Sequence, residues 1–169
     1  LLNISRSGKP TLAAIMNFGI YPQGYYPQLC ITAVSVPGTQ IGDVSVNGVR
    51  FLDNSRIEGT ISGMVEQAVA FCNRNIKVRT VIDPRTGRRE DRTEYPIEAI
   101  REAVLNALIH RDYSTYTEGT PVQLDLFMDR LEVHSPGCLY GGMSVEQLGY
   151  AKPELRNPAL AVMAEKLTG

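Results

Sequence analysis

One stretch limits the possible folds more than any other: Glu94-Tyr-Pro-Ile-Glu-Ala-Ile-Arg-Glu-Ala-Val-Leu-Asn-Ala-Leu-Ile-His-Arg-Asp-Tyr113. It reads as a helix opened by Pro96, a residue suited to a first turn because its missing N–H has no partner there anyway. One side of this helix is apolar and must be covered by another layer of structure. On the other side Glu98, Glu102, Asn106 and His110 recur every four residues. Residues four apart are neighbours on a helix surface, so a carboxylate and a carboxamide stand side by side above an apolar base.

The flanking segments supply the other layer. Pro10 to Gly19 reads as a short helix closed by Gly19, and residues 21 to 28 form a loop rich in Tyr, Pro and Gln. Leu29-Cys-Ile-Thr-Ala-Val-Ser-Val36 is a β-branched, apolar strand ended by Pro37-Gly38, and Val49-Arg-Phe-Leu-Asp53 reads as a second strand. From Thr60 to Asn75 apolar residues fall at Ile61, Met64, Val65, Ala68, Val69, Phe71 and Cys72, the spacing of a half-buried helix. Ile76 to Ile82, a turn at Asp83-Pro-Arg-Thr-Gly87, and Arg88 to Glu94 make a hairpin. Thr120 to Met128 and Leu131 to Ser135 make another across Asp129-Arg130. Ser144 and Gln147 fit the cap of a short helix, and Asn157-Pro158 starts a last one, with Asn157 as N-cap. The expected class is α/β (α+β), a helix-on-sheet sandwich. The expected division is an α/β segment over 1–76 followed by a hairpin–helix–hairpin–helix unit over 77–169. The chain starts at Leu1 and stops at Gly169 just after a helix, which reads as a piece of a longer protein.

Bulk composition excludes several functions. A net charge of -1 gives no overall electrostatic attraction for nucleic acid or membrane, so any DNA contact needs a local patch. No apolar run approaches the roughly 20 residues of a membrane helix. Cys30, Cys72 and Cys138 lie far apart, without metal-ligand spacing, and read as reduced thiols of a cytoplasmic protein.

Glu102 and Asn106 carry the clearest chemistry. Mg²⁺ prefers oxygen ligands and keeps several waters, which suits an Asn side-chain oxygen on a rigid helix. A neighbouring carboxylate can orient and deprotonate a water that attacks a terminal phosphate. The polar side of an ordinary surface helix shows the same spacing by accident. His110-Arg111-Asp112 is reminiscent of a kinase catalytic loop, but the Asn expected five residues after the Asp is Thr117, and no Asp-Phe-Gly follows. The triplet is better read as a helix end, with basic residues at the negative pole of the dipole. Ser135-Pro136-Gly137 could bring backbone to a ligand or form a plain turn, and Gly141-Gly142 is a weak loop signal. No phosphate-binding Gly-x-x-x-x-Gly-Lys-Ser/Thr loop is present, so no helicase motor lies in this sequence. His134 reads as an exposed or satisfied strand histidine. Tyr21, Tyr25 and Tyr26 could stack on bases but fit a packed loop. The first hairpin carries Lys77, Arg79, Arg85, Arg88, Arg89 and Arg92, either a solvated surface or a phosphate-contacting arm.

Taken together, Tyr95 to Tyr113, Asp129-Arg-Leu-Glu-Val-His-Ser-Pro-Gly137, Gly141-Gly-Met-Ser144 and Arg156-Asn-Pro158 resemble the RecG-related ATP-dependent DNA helicase C-terminal family. The resemblance extends upstream through Gly8-Lys-Pro-Thr-Leu-Ala13, Phe18-Gly19, Pro27-Gln28, Gly38-Thr39 and Glu58-Gly59. It implies an ATPase fold of the GHKL type, shared with gyrase and histidine kinases. It also implies a Schlafen/AlbA-type DNA-binding domain before this region and a winged helix after it, in proteins described as transcriptional regulators. By that match Glu102 polarises water and Asn106 holds Mg²⁺, with ATP as the nucleotide. Ser135, Gly137, Gly141 and Gly142 fall where the family contacts the nucleotide. The family's adenine-binding Asp is replaced here by Ser135, which removes a charged acceptor. The implied function is an ATP-binding, regulatory module, an ATPase of a DNA-associated bacterial regulator. The alternative is a non-catalytic scaffold for interaction or dimerisation. The expected partners are DNA, reached through flanking domains or the Arg88/Arg89 hairpin, and a second copy of the chain.

Overall fold

The computed structural model describes residues 3–82, 85, 89–142, 144–147, 150 and 154–168. In chain order the elements are β1 (Ser5–Arg6), β2 (Lys9–Pro10), α1 (Leu12–Phe18), β3 (Ile31–Ser35), β4 (Asp53–Ile57), α2 (Ile61–Asn75), β5 (Val78–Ile82), β6 (Arg89–Thr93), α3 (Ile97–His110), β7 (Val122–Leu126), β8 (Leu131–His134) and α4 (Pro158–Thr168). Short 3-10 turns at Pro22–Gly24 and Val145–Gln147 complete it.

The central sheet has the order β4-β3-β7-β8. β3 and β7 run parallel, with Ile31 opposite Val122 and Ser35 opposite Leu126, and the outer pairs are antiparallel. Alternation sends Ile31, Ala33, Val122, Leu124 and Leu126 to one face, where they are buried. The helices cover that face. α2 lies on β3, β4 and β7, α3 packs against α2 and β8, and α4 closes over α1, α2 and α3. This is the α+β, helix-on-sheet arrangement expected from the pattern. Residues on both sides of position 76 contribute to this one sheet and to one continuous core cluster.

All seven apolar residues read as the inner stripe of α2 are buried. Each fully buried aliphatic or aromatic side chain contributes roughly 1.5–3 kcal/mol, so this stripe holds the helix on the sheet. Thr60 caps α2 by accepting from the Gly63 N–H at 3.3 Å. At its other end Arg74 Nε and Asn75 Nδ2 donate to Asp53 Oδ2 at 2.6 and 2.8 Å, tying the helix to the start of β4. The buried Gln23 joins the tyrosine loop to the strand layer. Its amide donates to the carbonyls of Leu29 and Gly59, and its oxygen accepts from the Gly59 N–H at 2.8 Å.

The structure corrects several expectations. The second strand is Asp53–Ile57, not Val49 to Asp53. Register with β3 sets its position, and as an edge strand it needs only Ile57 fully buried; Val49, Phe51 and Leu52 stay exposed. The helix expected after Ser144 is a single 3-10 turn, although the Ser144 N–H does donate to Gln147 Oε1 at 3.0 Å. The β5–β6 hairpin forms as expected, with Val78 opposite Thr93 and Ile82 opposite Arg89. Apart from Arg85, its turn lies outside the described residues, as do Arg88 and the side chain of Arg89. Among the described residues no helix is long and apolar enough to cross a membrane.

Candidate functional site

α3 buries Ile100, Val104, Leu105, Ala107, Leu108 and Ile109 and turns Glu98 and Glu102 to solvent, with Asn106 and His110 half-buried. Asn106 Nδ2 donates to Glu102 Oε1 at 2.9 Å. The two residues read as neighbours are therefore in direct contact. With its nitrogen committed to the carboxylate, the Asn106 amide presents its oxygen as the remaining ligand atom.

The far end of α3 is held by residues from three other parts of the chain. The last four carbonyls of a helix have no partner within it. Here Ser135 Oγ donates to the Ala107 carbonyl at 2.7 Å, and Tyr113 Oη to that of Leu108 at 2.8 Å. Asn157 Nδ2 donates to the carbonyls of Ile109 and Arg111 at 2.9 and 2.8 Å. Burial around the Tyr113 phenol pushes its pKa up, keeping it a neutral donor. The side chain of Asn157, expected to cap its own helix, thus caps α3, although its carbonyl does accept the first backbone bond of α4, from Ala161. Ser135, expected at the nucleotide, gives its hydroxyl hydrogen to the helix bearing Glu102 and Asn106.

Arg111 follows the helix and is 1% exposed. It sits at the C-cap of α3, the helix end expected, but buried rather than as a surface cation. Its Nη2 donates to the carbonyls of Thr117 and Thr120 at 3.0 and 2.7 Å, and its Nε to that of Asp112 at 3.3 Å. It therefore clamps the loop between α3 and β7, with its charge over the Tyr113 ring. Asp112 accepts from the Ser114 N–H at 2.9 Å and pairs with Arg156 at 3.1 Å. The Ser114 backbone bond and the Arg156 charge hold its carboxyl below the usual range.

Gly137 lies against Asp112 at φ +122, where a Cβ would stand 2.9 Å from the Asp112 Cβ. Gly141 has φ +73 and would meet the Glu154 carboxylate, whereas Gly142, also at φ +73, faces open space. Ser135 and Gly137 are thus brought to the C-terminal end of α3, and Gly141 to Glu154. Tyr21 donates to Glu58 Oε2 at 2.9 Å, and with Tyr25 it lines an apolar groove of about 1040 Å³ shared with α1. Tyr26 packs on the core. The roles of Tyr113 and Arg111 in fixing this helix end are not expected from the sequence, which shows a cation directly after a helix but not its burial.

The fold and the α3 site define a helix-on-sheet unit with an Asn–carboxylate pair on its principal polar ridge. Residues 119–168 match the family described as "Putative ATP-dependent DNA helicase recG C-terminal", which bears out the RecG-related resemblance. The matched region holds β7, β8 and α4 and begins after Glu102 and Asn106. It points to an ATPase- and helicase-related C-terminal module. The crystal structure of the DIP2311 protein from Corynebacterium diphtheriae is similar in fold, with a TM-score of 0.73 at 21% identity. That likeness covers 98% of this chain and 31% of the other, so the chain spans less than a third of that protein's length. No curated protein matches the chain.

Proposed function

We propose that this chain is the nucleotide-binding part of a regulatory protein associated with DNA, with Glu102 and Asn106 as the Mg²⁺–ATP site. The observation that carries the reading is the 2.9 Å bond from Asn106 to Glu102 on a helix whose final carbonyls are pinned. The donor set fits the group: Asn106 offers a hard oxygen suited to Mg²⁺, and Glu102 is exposed and able to hold a water. Ser135 donates its one hydrogen to Ala107, which leaves its hydroxyl oxygen as an acceptor only. Bound ATP would supply the phosphoryl group, with Asn106 to hold its Mg²⁺ and Glu102 to hold a water. In the parent protein we assign this module a role in transcriptional control.

Titration of Mg²⁺–ATP, followed by calorimetry, tests the reading. Saturable binding is expected, weakened at least about tenfold (about 1.4 kcal/mol) by Asn106→Ala. Absence of saturation at about 5 mM nucleotide, a free energy of only about 3 kcal/mol, removes the nucleotide role.

A second reading rests on Ser135. Its bond to Ala107 serves the fold, which suits a scaffold that joins or dimerises flanking domains without turnover. On that reading Glu102→Ala leaves the parent protein's behaviour unchanged.

A further inference from the structure

The sheet face turned away from the helices carries a cluster that the α3 site does not use. Asp125 on β7 stands directly opposite Glu132 on β8, and His134 follows two residues along β8, on the same face. His134 Nε2 lies 2.9 Å from Glu132 Oε2 and 3.9 Å from Asp125 Oδ2, and one ligand atom from each residue falls within 4.8 Å of the others. Three side chains from two paired strands thus converge on one point.

Each member is disposed as a ligand. Arg130 Nε holds Glu132 by its other oxygen, Oε1, and leaves Oε2 directed at the cluster. Asp125 has a side chain only 14% exposed, and among the described residues its one ionic partner is His134, at 3.9 Å. His134 is more than half exposed on this face, which leaves a route for an ion and a position for water.

We infer that Asp125, Glu132 and His134 form a binding site for a divalent transition-metal ion, Zn²⁺ being the representative probe. Two carboxylate oxygens and one imidazole nitrogen suit such an ion better than Mg²⁺, which seldom takes imidazole. Zn²⁺ binds such atoms at about 2.0–2.2 Å and completes a tetrahedron with water. Tetrahedral ligand atoms at that radius stand roughly 3.4 Å apart. His134 and Glu132 need to part slightly and Asp125 to approach, all within reach of side-chain torsions. The two carboxylates balance the charge of the ion, and Arg130 acts as the outer partner that orients Glu132. The ion would bridge β7 to β8 on the open side of the sheet.

The test is Zn²⁺ titration of the full chain carrying Cys138→Ser, so that the exposed thiol cannot capture the metal. One equivalent is expected to bind. Asp125→Asn and His134→Gln should each weaken binding at least about tenfold, and Glu66→Gln, on the exposed side of α2, should leave it unchanged. Nitrogen NMR of the otherwise unaltered chain provides a readout that needs no ligand substitution: the His134 Nε2 resonance should move on addition of Zn²⁺. An unmoved resonance, no saturable binding, or binding indifferent to both ligand substitutions overturns the site. Because the ligands lie on β7 and β8, failure of nucleotide binding at α3 leaves this outcome unaffected.

Discussion

Replacing Arg111 with methionine separates the clamp from the apolar stem of the side chain. The guanidinium is buried with no carboxylate paired to it among the described residues; the carboxylate of Asp112 is paired with Arg156. Backbone carbonyls supply its compensation, two of them at 3.0 and 2.7 Å. Hydrogen bonds to charged groups contribute about 1.5–3 kcal/mol each, so these two contribute about 3–6 kcal/mol. Part is offset, because burial opposes the charge and lowers the arginine pKa, and because the exposed Thr120 can rehydrate. With roughly half offset, Arg111→Met lowers stability by about 1.5–3 kcal/mol. At a urea slope of about 2–3 kcal/mol/M, the midpoint falls by about 1 M. Arg111→Lys should lose nearly as much, since an ammonium group cannot reproduce the planar fork. Equilibrium urea unfolding measures both. A loss below about 0.5 kcal/mol for the methionine variant, the range of an ordinary surface change, would refute the clamp.

Asn157→Ala removes both bonds to the end of α3 and should cost about 1–3 kcal/mol, read by thermal or urea unfolding. A neutral result would mean that water replaces the amide. Asp53 gives an acid-sensitive contribution: bonds from Arg74 and then Asn75 hold its native pKa below the ordinary carboxylate value. The stability it provides is complete above the unfolded pKa of about 3.9 and is lost as pH falls through the lower native value. Asp53→Asn should therefore flatten this part of the stability profile at acid pH. An unchanged slope would show that Asp53 contributes nothing to acid unfolding.

Periodic features were legible before any coordinates. The buried stripe of α2, the Glu102–Asn106 contact and the β7–β8 hairpin follow from spacings of three, four and two residues, which each type of backbone turns into shared faces. The bounds of the edge strand β4 are not legible in the sequence because its residues are mostly polar, and pairing with β3 decides its position. Nothing local couples Asn157 to Ile109 or Ser135 to Ala107. Those bonds exist only after α4 and β8 have been brought to α3, so the side chains read as a helix N-cap and a ligand contact became caps of another helix. Arg111 shows the same limit: its charge was visible, its burial was not.

The parallel pairing of β3 with β7 also bears on how the molecule is assembled. Ile31 meets Val122, so the middle of the sheet closes only after the intervening chain, including all of α2 and α3, has been made. Contacts so distant in sequence carry a large loop-closure entropy and slow folding. During synthesis β3 can zip with β4 early, yet its other edge stays unsatisfied until β7 leaves the ribosome. In that interval the nascent chain presents an apolar strand with unpaired backbone groups, a template for joining another chain. The step that completes the sheet is also the one that ends this exposure.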